Sequence, residues 1–358
     1  MHIKRIELLG FRSYPDRTEI SCERGVQVLH DNETFDLFTA IRYALMESRL
    51  RVLNCRRLED LIFAGDGKRR AMNISEVSLE FDNADRTFPL DWHSVEIQRR
   101  YFRIGESEFF LNRVPCRLKD ISELLQDVLN VESAAVWGNY ERLMFVDLSP
   151  ESRRRLWDIT AGHLVNRKRT AEFSSKQQKT QRNLDRVNVI VSELSQQMEQ
   201  LKNGADPENN QTRIEEQLNF LKGQQCTLSN ELEKWSREIQ RLKETLVSGF
   251  DADFPRLCRA FAFEMLRWTG STASLVLTHP DDPDVSGIAI EGLPRQMTEV
   301  DRVAVGWAFW TACMKVLELP VSILQVDPEQ DKPHWKLLTD VLTELKPSMQ
   351  LLVCMNRG

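Results

Sequence analysis

The residues that bear most directly on chemistry form one run, namely His30, Asp31, Asn32, Glu33, Thr34, Phe35 and Asp36. The run follows Val26, Val28 and Leu29, which predict a buried strand, and it precedes a helix predicted over 37–45. Such a strand–turn–helix binds phosphate when the turn carries glycines and a lysine, because backbone amides must surround the phosphates and a cation must neutralise them. This turn contains neither, and its three carboxylates would repel a triphosphate.

The other residue types capable of chemistry do not suggest a second site. The six histidines lack the spacing of metal ligands, and the seven cysteines include no CxxC pair. The cysteines therefore argue against a zinc site or a disulfide framework and indicate a reducing compartment. Two acidic segments, 281–284 and 327–331, are expected to be solvated turns rather than metal sites. We predict no metal and no small-molecule substrate.

Composition sets the class of protein. The 358 residues, 41% hydrophobic and 28% charged, are typical of a globular protein with a highly charged helical part. The net charge of −6 means that any contact with DNA must come from a local basic patch. Neither a signal-peptide core nor an apolar run long enough to span a bilayer is present. We therefore expect a cytoplasmic protein, compatible with association with the nucleoid, and no membrane partner.

The middle of the chain has a heptad pattern in two segments, which are separated by the polar run 203–211. Alternating spacings of three and four predict an antiparallel coiled-coil hairpin, with two amphipathic helices lying on a globular core as the alternative. Gln225 is the polar residue of the second seam, where such residues commonly fix the register. The apolar seam residues are Leu184, Val187, Val191, Leu194, Met198 and Leu201, then Ile214, Leu218, Leu221, Leu228, Leu232, Trp235, Ile239, Leu242 and Leu246.

Several collinear segments resemble the heads of SMC proteins, the coiled-coil ATPases of chromosome organisation. They include MHIKRIELLGFRSYPDRTEI at the start, AIRYALMES and RRLEDLIFAGDGKRR after the turn, and LSPESRRRLWDITAG further on. The resemblance covers most of residues 1–170 and, more weakly, residues 250–358. It implies an α/β fold of the ATP-binding-cassette (P-loop NTPase) type, in which two lobes of one chain form a single head.

On this basis we expect an N-terminal lobe over 1–165, a short antiparallel hairpin over 166–248 with its turn near 203–211, and a C-terminal lobe over 249–358. SMC proteins typically carry a much longer arm that ends in a dimerising hinge. Polar residues occupy the place of the hinge here, so this chain would not close a hinge-linked ring by itself. The arm is either naturally short or one from which the middle has been removed.

The C-terminal part predicts further head elements. Residues 254–268 read as a helix, 271–294 as a two-stranded unit and 301–319 as a buried helix. Two apolar runs, 321–327 and 349–356, predict core strands of a mainly parallel sheet.

The resemblance assigns the ATP-site positions residue by residue, and most of them depart from the family pattern. The signature LSGGE corresponds to Met297, Thr298, Glu299, Val300 and Asp301, which retain a hydroxyl but replace the glycines. The Asp-Glu that ends the Walker B strand becomes Asp327-Pro328, which removes the general base. Thr298 is equally explained as a helix N-cap, and Asp327 as the carboxylate that ends a strand.

Three further positions also depart from the ATP-site residues of the family. The glutamine that contacts Mg²⁺ and the γ-phosphate corresponds to Asn139, one methylene shorter. The switch histidine corresponds to Asn356, which cannot accept a proton in the same way, and an arginine of the family falls at Asn54. The turn at 30–36 is also about three residues shorter than a phosphate loop.

Basic clusters are the candidates for DNA contact. In SMC-like heads the surface near the emerging coiled coil touches DNA, and solvated helix faces paired with acidic residues are the alternative explanation. The two clusters expected there are Arg153, Arg154 and Arg155, and Arg167, Lys168 and Arg169.

The sequence therefore predicts a catalytically inactive SMC-like head, a structural or partner-binding subunit in chromosome organisation, segregation or DNA repair. Expected partners are an SMC-like head or a kleisin-like protein, together with non-specific DNA. The alternative is a degenerate ATPase whose site is completed in a heterodimer with an active head, and a third reading is a structural remnant without a partner. No cofactor is expected, and ATP with Mg²⁺ would enter only if the degenerate site still binds it.

Overall fold

The structure is a computed structural model that describes residues 1–31, 35–126, 128–129, 135–202, 208–283, 285–317, 319, 321–345 and 349–356. The chain divides into two compact units. One combines Met1–Gly162 with Ala252–Gly358, and the other is His163–Asp251. None of the described helices is both long and apolar enough to cross a membrane.

The described chain contains both strands and helices, with runs of consecutive strands in the N-terminal part and four consecutive helices in the middle. The strands are β1 (His2–Leu9), β2 (Thr18–Ser21), β3 (Val26–Asp31), β4 (Ile74–Asp82), β5 (Ser94–Phe102), β6 (Ser107–Leu111), β7 (Val114–Cys116), β8 (Val136–Trp137), β9 (Ser274–Leu277), β10 (Ile288–Glu291), β11 (Val321–Val326) and β12 (Gln350–Asn356). The helices are α1 (Asp36–Ala44), α2 (Leu118–Gln126), α3 (Asn139–Met144), α4 (Pro150–Thr160), α5 (Leu164–Lys202), α6 (Glu208–Thr269), α7 (Glu299–Val316) and α8 (Trp335–Glu344).

The first unit contains a six-stranded antiparallel sheet in the order β2-β1-β4-β5-β6-β7. Alternation of side chains explains which face is buried. In β4, Val77, Leu79 and Phe81 are fully buried, and Val95 and Ile97 of β5 are buried in the same way. One face of the sheet therefore packs against the apolar core, as the alternation of side chains along a strand predicts.

A second sheet of the same unit is parallel, in the order β3-β12-β11-β8. The central strands β11 and β12 are apolar and buried, as predicted, because both faces of such a sheet are covered. The carboxyl ends of β3, β8 and β11 lie at one edge of this sheet. The segments that follow β8 and β11, which begin at Gly138 and Asp327, therefore leave the sheet on the same side.

The prediction of a buried β3 is wrong for two of its three apolar residues. Val26 and Val28 are 49% and 44% exposed, whereas Leu29 is 5% exposed. β3 is the last strand in the sheet order, so only the face that carries Leu29 packs against the core.

The C-terminal elements follow the sequence-based predictions. β9 and β10 pair antiparallel, α7 is buried along almost its whole length, and β11 and β12 flank α8 in the chain. The helix predicted over 254–268 is not a separate element, because α6 continues through Pro255 to Thr269.

The second unit is the predicted antiparallel hairpin of α5 and α6. Phe173 stacks on Trp235 with ring centroids 5.5 Å apart. Gln225 donates a hydrogen bond to Asn188 at 2.9 Å, so the polar seam residue does pair across the two helices. α5 ends at Lys202 and α6 begins at Glu208, and residues 203–207 of the predicted turn lie outside the described residues.

We expect Trp235→Ala to lower the free energy of unfolding of the hairpin by about 1–3 kcal/mol, because it removes the aromatic stack. The Lys176 ammonium, 5.4 Å from both ring centroids, would lose its position over the indole as well. Urea unfolding followed by helical circular dichroism measures the change. Phe220→Ala on the same helix is the control, since Phe220 is 66% exposed. Equal losses in the two variants would contradict the proposed seam.

Candidate functional site

The turn that would hold phosphate is short in the structure. β3 extends to Asp31 and α1 begins at Asp36, so only residues 32–35 connect them. A phosphate loop needs about eight residues between the same two elements. Asn32, Glu33 and Thr34 lie outside the described residues. Phe35, with φ of 54°, adopts the left-handed conformation that favours glycine, and it is the N-cap of α1.

A carboxylate lies at the N-terminus of α1, where a phosphate would bind. Asp36 is buried, and its Oδ1 lies 3.2 Å from Nη1 of Arg12. Its Oδ2 accepts the backbone amide of Ser13 at 3.2 Å. A negative charge is favoured at this end of a helix. Here the charge belongs to the protein itself and is neutralised by Arg12.

Gly138 marks the point where α1, α3 and β11 meet. A Cβ at this position would lie 2.7 Å from Oε1 of Gln325 and 2.9 Å from the ring of Phe38, so no side chain fits. The amide of Gly138 donates to Glu141 at 3.0 Å. Glu141 also pairs with the buried guanidinium of Arg42, which stacks on Phe38. The glycine is therefore required by close packing at this junction.

Arg142 is the most deeply buried charge of the junction, with no exposed surface. Its Nη2 lies 3.1 Å from Oδ2 of Asp331, and its Nη1 donates to the carbonyl of Gln325 at 2.8 Å. Its guanidinium carbon lies 4.3 Å from the ring centroid of Trp307. Burial lowers the pKa of Arg142, and the neighbouring carboxylate of Asp331 opposes that lowering.

Asp331 is also fully buried, which contradicts the expectation of a solvated acidic turn. Besides Arg142, it accepts the indole N–H of Trp307 at 3.0 Å and the amide of Asp327 at 2.9 Å. The pair thus connects α3, α7 and the segment after β11. Asn139, the counterpart of the family's glutamine, accepts a hydrogen bond from Arg142 through its side-chain oxygen.

Asp327 has a role within its own turn. Its Oδ1 accepts the amides of Glu329 at 3.0 Å and Gln330 at 3.4 Å, as a strand-end carboxylate does. Pro328 follows it and offers no side chain for proton transfer. No group of three acidic, histidine or cysteine residues that could hold a metal ion occurs among the described residues.

The counterpart of the signature is a helix cap. Thr298 accepts the amide of Asp301 at 3.2 Å, and Asp301 accepts the amide of Thr298 at 2.9 Å, which forms a capping box at the start of α7. Glu299 is exposed and accepts the side-chain amide of Gln330 at 3.1 Å. Val300 is 42% exposed.

Asn54 and Asn356 are two further positions that the family resemblance assigned to the ATP site. Asn54 has φ of 48°, and its carbonyl accepts a hydrogen bond from Arg12 at 2.8 Å. At the end of β12, Asn356 pairs in register with Asp31, and Met355 pairs with His30.

The basic run in α4 requires a correction. Arg153 donates to the carbonyls of Phe145, Val146 and Ile288, and it is 8% exposed. Arg154 is 7% exposed and pairs with Asp158. These two arginines satisfy buried carbonyl and carboxylate groups, so they are not available to DNA. Arg155, Lys168 and Arg169 are exposed, and Arg167 is half-buried.

The structure therefore brings Asn139 and Asp327 together near one edge of the parallel sheet, but it pairs each of them internally. The sequence alone did not reveal Arg142, Arg42 or Trp307. The one sequence feature that could have pointed to this buried pairing was Asp331, four residues after Asp327 in an acidic segment.

The fold is shared with known proteins. The head domain of Smc from Pyrococcus furiosus, solved with an extended coiled coil and bound to the C-terminal domain of ScpA, superposes with a TM-score of 0.70 at 23% identity, covering 99% of this chain and 90% of that one. The recombination mediator RecF, solved with ATP, superposes with a TM-score of 0.55 at 12% identity, covering 100% and 92% of the two chains.

These likenesses show the fold, which is the ATP-binding-cassette fold of SMC heads with a coiled-coil hairpin. The chain belongs to the RecF/RecN/SMC N terminal domain family, which matches residues 2–357. The chromosome partition protein Smc of Bacillus subtilis is 36% identical over 206 residues, which is 56% of this chain. The chain spans only 17% of the length of that relative.

We expect Arg142→Met to lower the free energy of unfolding of the first unit by about 3–5 kcal/mol, because it leaves Asp331 buried without its partner. Arg302→Met is the matched control, since Arg302 pairs with Asp147 at the surface, where ion pairs contribute little to stability. Urea unfolding measures both. The double variant Arg142→Met with Asp331→Asn should recover part of the loss. A loss for Arg142→Met no larger than the control would contradict the pairing.

Proposed function

We propose that this chain is an SMC-like head that does not hydrolyse ATP and acts as a structural or partner-binding subunit in chromosome organisation, segregation or DNA repair. The observation that carries the proposal is the internal pairing at the edge of the parallel sheet. Asn139 bonds to Arg142, Arg142 pairs with Asp331, and Asp327 caps its own turn. The groups that would act on a nucleotide are bound to one another.

Catalytic chemistry supports the same proposal. Phosphoryl transfer depends almost entirely on positioning and on charge stabilisation by a phosphate loop, its lysine and Mg²⁺. Removal of a single stabilising donor costs about 10²–10³ in rate. The chain carries no glycine or lysine over 30–36 and has Pro328 in place of the general base. Each of these differences alone would lower the rate of ATP hydrolysis, and together they would abolish it.

The proposed partners follow from the class of protein. The Pyrococcus furiosus head was solved with the C-terminal domain of ScpA, so a kleisin-like protein is one proposed partner. A second SMC-like head is another, and non-specific DNA is the third.

The heterodimeric ATPase is the weaker candidate. It requires the hydroxyl of Thr298 to reach the γ-phosphate on a partner head. That hydroxyl is bonded to Asp301 in the capping box, and the exposed carboxylate of Glu299 follows it. A negative charge at this position would repel the phosphate.

We expect calorimetric titration of the chain with Mg-ATP to give no saturable heat, which places any dissociation constant above about 1 mM. Phosphate release should equal that of buffer. RecF, which has been solved with ATP, is the positive control. Micromolar binding of Mg-ATP would contradict the proposed loss of the nucleotide site. If this chain stimulates ATP hydrolysis by an active SMC head, and Thr298→Val abolishes that stimulation, the heterodimeric ATPase would be favoured.

We expect DNA binding, measured by filter retention across salt concentrations, to depend on the exposed cluster of α5. Lys168→Glu combined with Arg169→Glu should weaken binding and reduce the slope of log K against log salt by about 2, because two phosphate contacts are lost. Arg113→Glu, an equally exposed arginine on the turn between β6 and β7, is the control. An unchanged slope would remove DNA from the proposed partners.

A further inference from the structure

The strand β3 has one edge that pairs with no other strand among the described residues. It stands last in the order of the parallel sheet and pairs with β12. The amide of Leu351 in β12 donates to the carbonyl of Gly25 at 2.8 Å, and the parallel register continues from there without a shift. Because backbone groups alternate in direction along a strand, those of the odd-numbered residues point to β12. Those of Val26, Val28 and His30 point away from the sheet.

The outward backbone groups of β3 are available to a further strand. Within the part of the chain that the structure describes, neither the N–H nor the C=O of Val26, Val28 or His30 is hydrogen-bonded. Val26 and Val28 are 49% and 44% exposed, and His30 is exposed as well. This edge therefore presents three donors and three acceptors to solvent.

The other terminal strands of the two larger sheets are protected in ways that β3 lacks. β7 is three residues long and contains Pro115, β2 carries the exposed charge of Glu19, and β8 has two residues. Short strands, charges and prolines at an edge prevent pairing with another chain. Residues 26–30 contain neither proline nor lysine nor an acidic residue, and valine favours strands. β3 is therefore the terminal strand best suited to accept another strand.

A second copy of β3 fits this edge in an antiparallel arrangement about a two-fold axis at Val28. The axis places Val28 opposite Val28 of the second copy, and Val26 opposite His30 of the second copy. All of these residues present their N–H and C=O groups to the edge, so each pair exchanges two N–H···O bonds. Every outward donor of one strand thus meets an acceptor of the other, and partial charges of opposite sign face each other along the whole contact.

The side chains favour the same pairing. Residues directly opposite in an antiparallel pair lie on the same face, so the exposed valines of both copies would form one continuous apolar strip. Cross-strand pairs of β-branched residues stabilise a sheet. An unrelated extended peptide would find the same backbone groups, but only the two-fold arrangement supplies a valine for each central valine. The second copy is therefore the occupant that the edge specifies.

We infer that this chain dimerises through antiparallel pairing of β3 with β3 of a second copy, which joins the parallel sheets of two heads. The dimer goes beyond the proposed function, since it does not depend on the loss of ATP hydrolysis. Three residue pairs form a small contact, so we expect a dissociation constant in the micromolar range, about 1–100 µM.

Sedimentation velocity of the full chain over about 1–200 µM tests for the dimer, whose fraction should rise with concentration. Hydrogen exchange then locates the contact. The amides of Val26, Val28 and His30 should become protected as the fraction of dimer rises, because each gains an acceptor. A chain that stays monomeric over the whole range, or a dimer without added protection in residues 26–30, would overturn the inference.

Val28→Pro removes an outward N–H that β12 does not use, and proline is tolerated at such edge positions. It should raise the dissociation constant of the dimer about tenfold or more, because the central pair loses both of its hydrogen bonds. Val28→Thr is the matched control. It keeps the N–H and the branched side chain, and it should change the constant by about threefold or less.

Val28→Lys gives a second measurement that does not depend on the folding of the proline variant. It places two ammonium groups opposite each other across the axis and should also weaken the dimer about tenfold or more. Ile104→Lys makes the same change at a 78% exposed residue outside β3 and should have no effect. If Val28→Lys, shown to be folded by circular dichroism, dimerises like the parent chain, the inference is wrong. Mg-ATP turnover by the chain would contradict the proposed function and leave the dimer unaffected.

Discussion

The buried pair of Arg142 and Asp331 is the interaction on which the candidate site depends. Both side chains have no exposed surface, and the pair connects α3, the segment after β11 and, through Trp307, helix α7. A buried ion pair is more stable when its remaining donors and acceptors are also satisfied. Here the carbonyl of Gln325, the indole of Trp307 and the amide of Asp327 supply such partners, whereas Nε of Arg142 has no hydrogen-bond partner among the described residues.

The pair is one of several ion pairs between protein groups in this part of the first unit. In phosphoryl-transfer proteins, charge at this edge of the sheet is balanced by Mg²⁺ and by the nucleotide. In this chain Arg142 is balanced by Asp331, Arg42 by Glu141, and Asp36 by Arg12. Within each of these pairs, one protein charge therefore balances another.

Neighbouring residues of like type have opposite roles in α4. Arg153 and Arg154 are buried and bond to backbone carbonyls and to Asp158, whereas Arg155 is exposed. A helix turns by about 100° per residue, so consecutive positions face different surroundings. The count of basic residues in a run therefore says little about how many reach a partner. Burial decides which of them form an interaction surface.

The sequence by itself determined the class of fold, the hairpin and the absence of glycine and lysine from residues 30–36. Heptad spacing, strand–turn–helix order and collinear family segments are local or periodic features, and they need no knowledge of distant contacts. The altered positions at 30–36, Thr298 and Asp327 could be read in the same way. Only the tertiary structure decided that Val26 and Val28 are exposed on an edge strand, that Asp331 is buried, and that Arg142 is its partner. Arg142 and Asp331 are 189 positions apart, and no spacing rule relates side chains that meet only after the sheet has assembled.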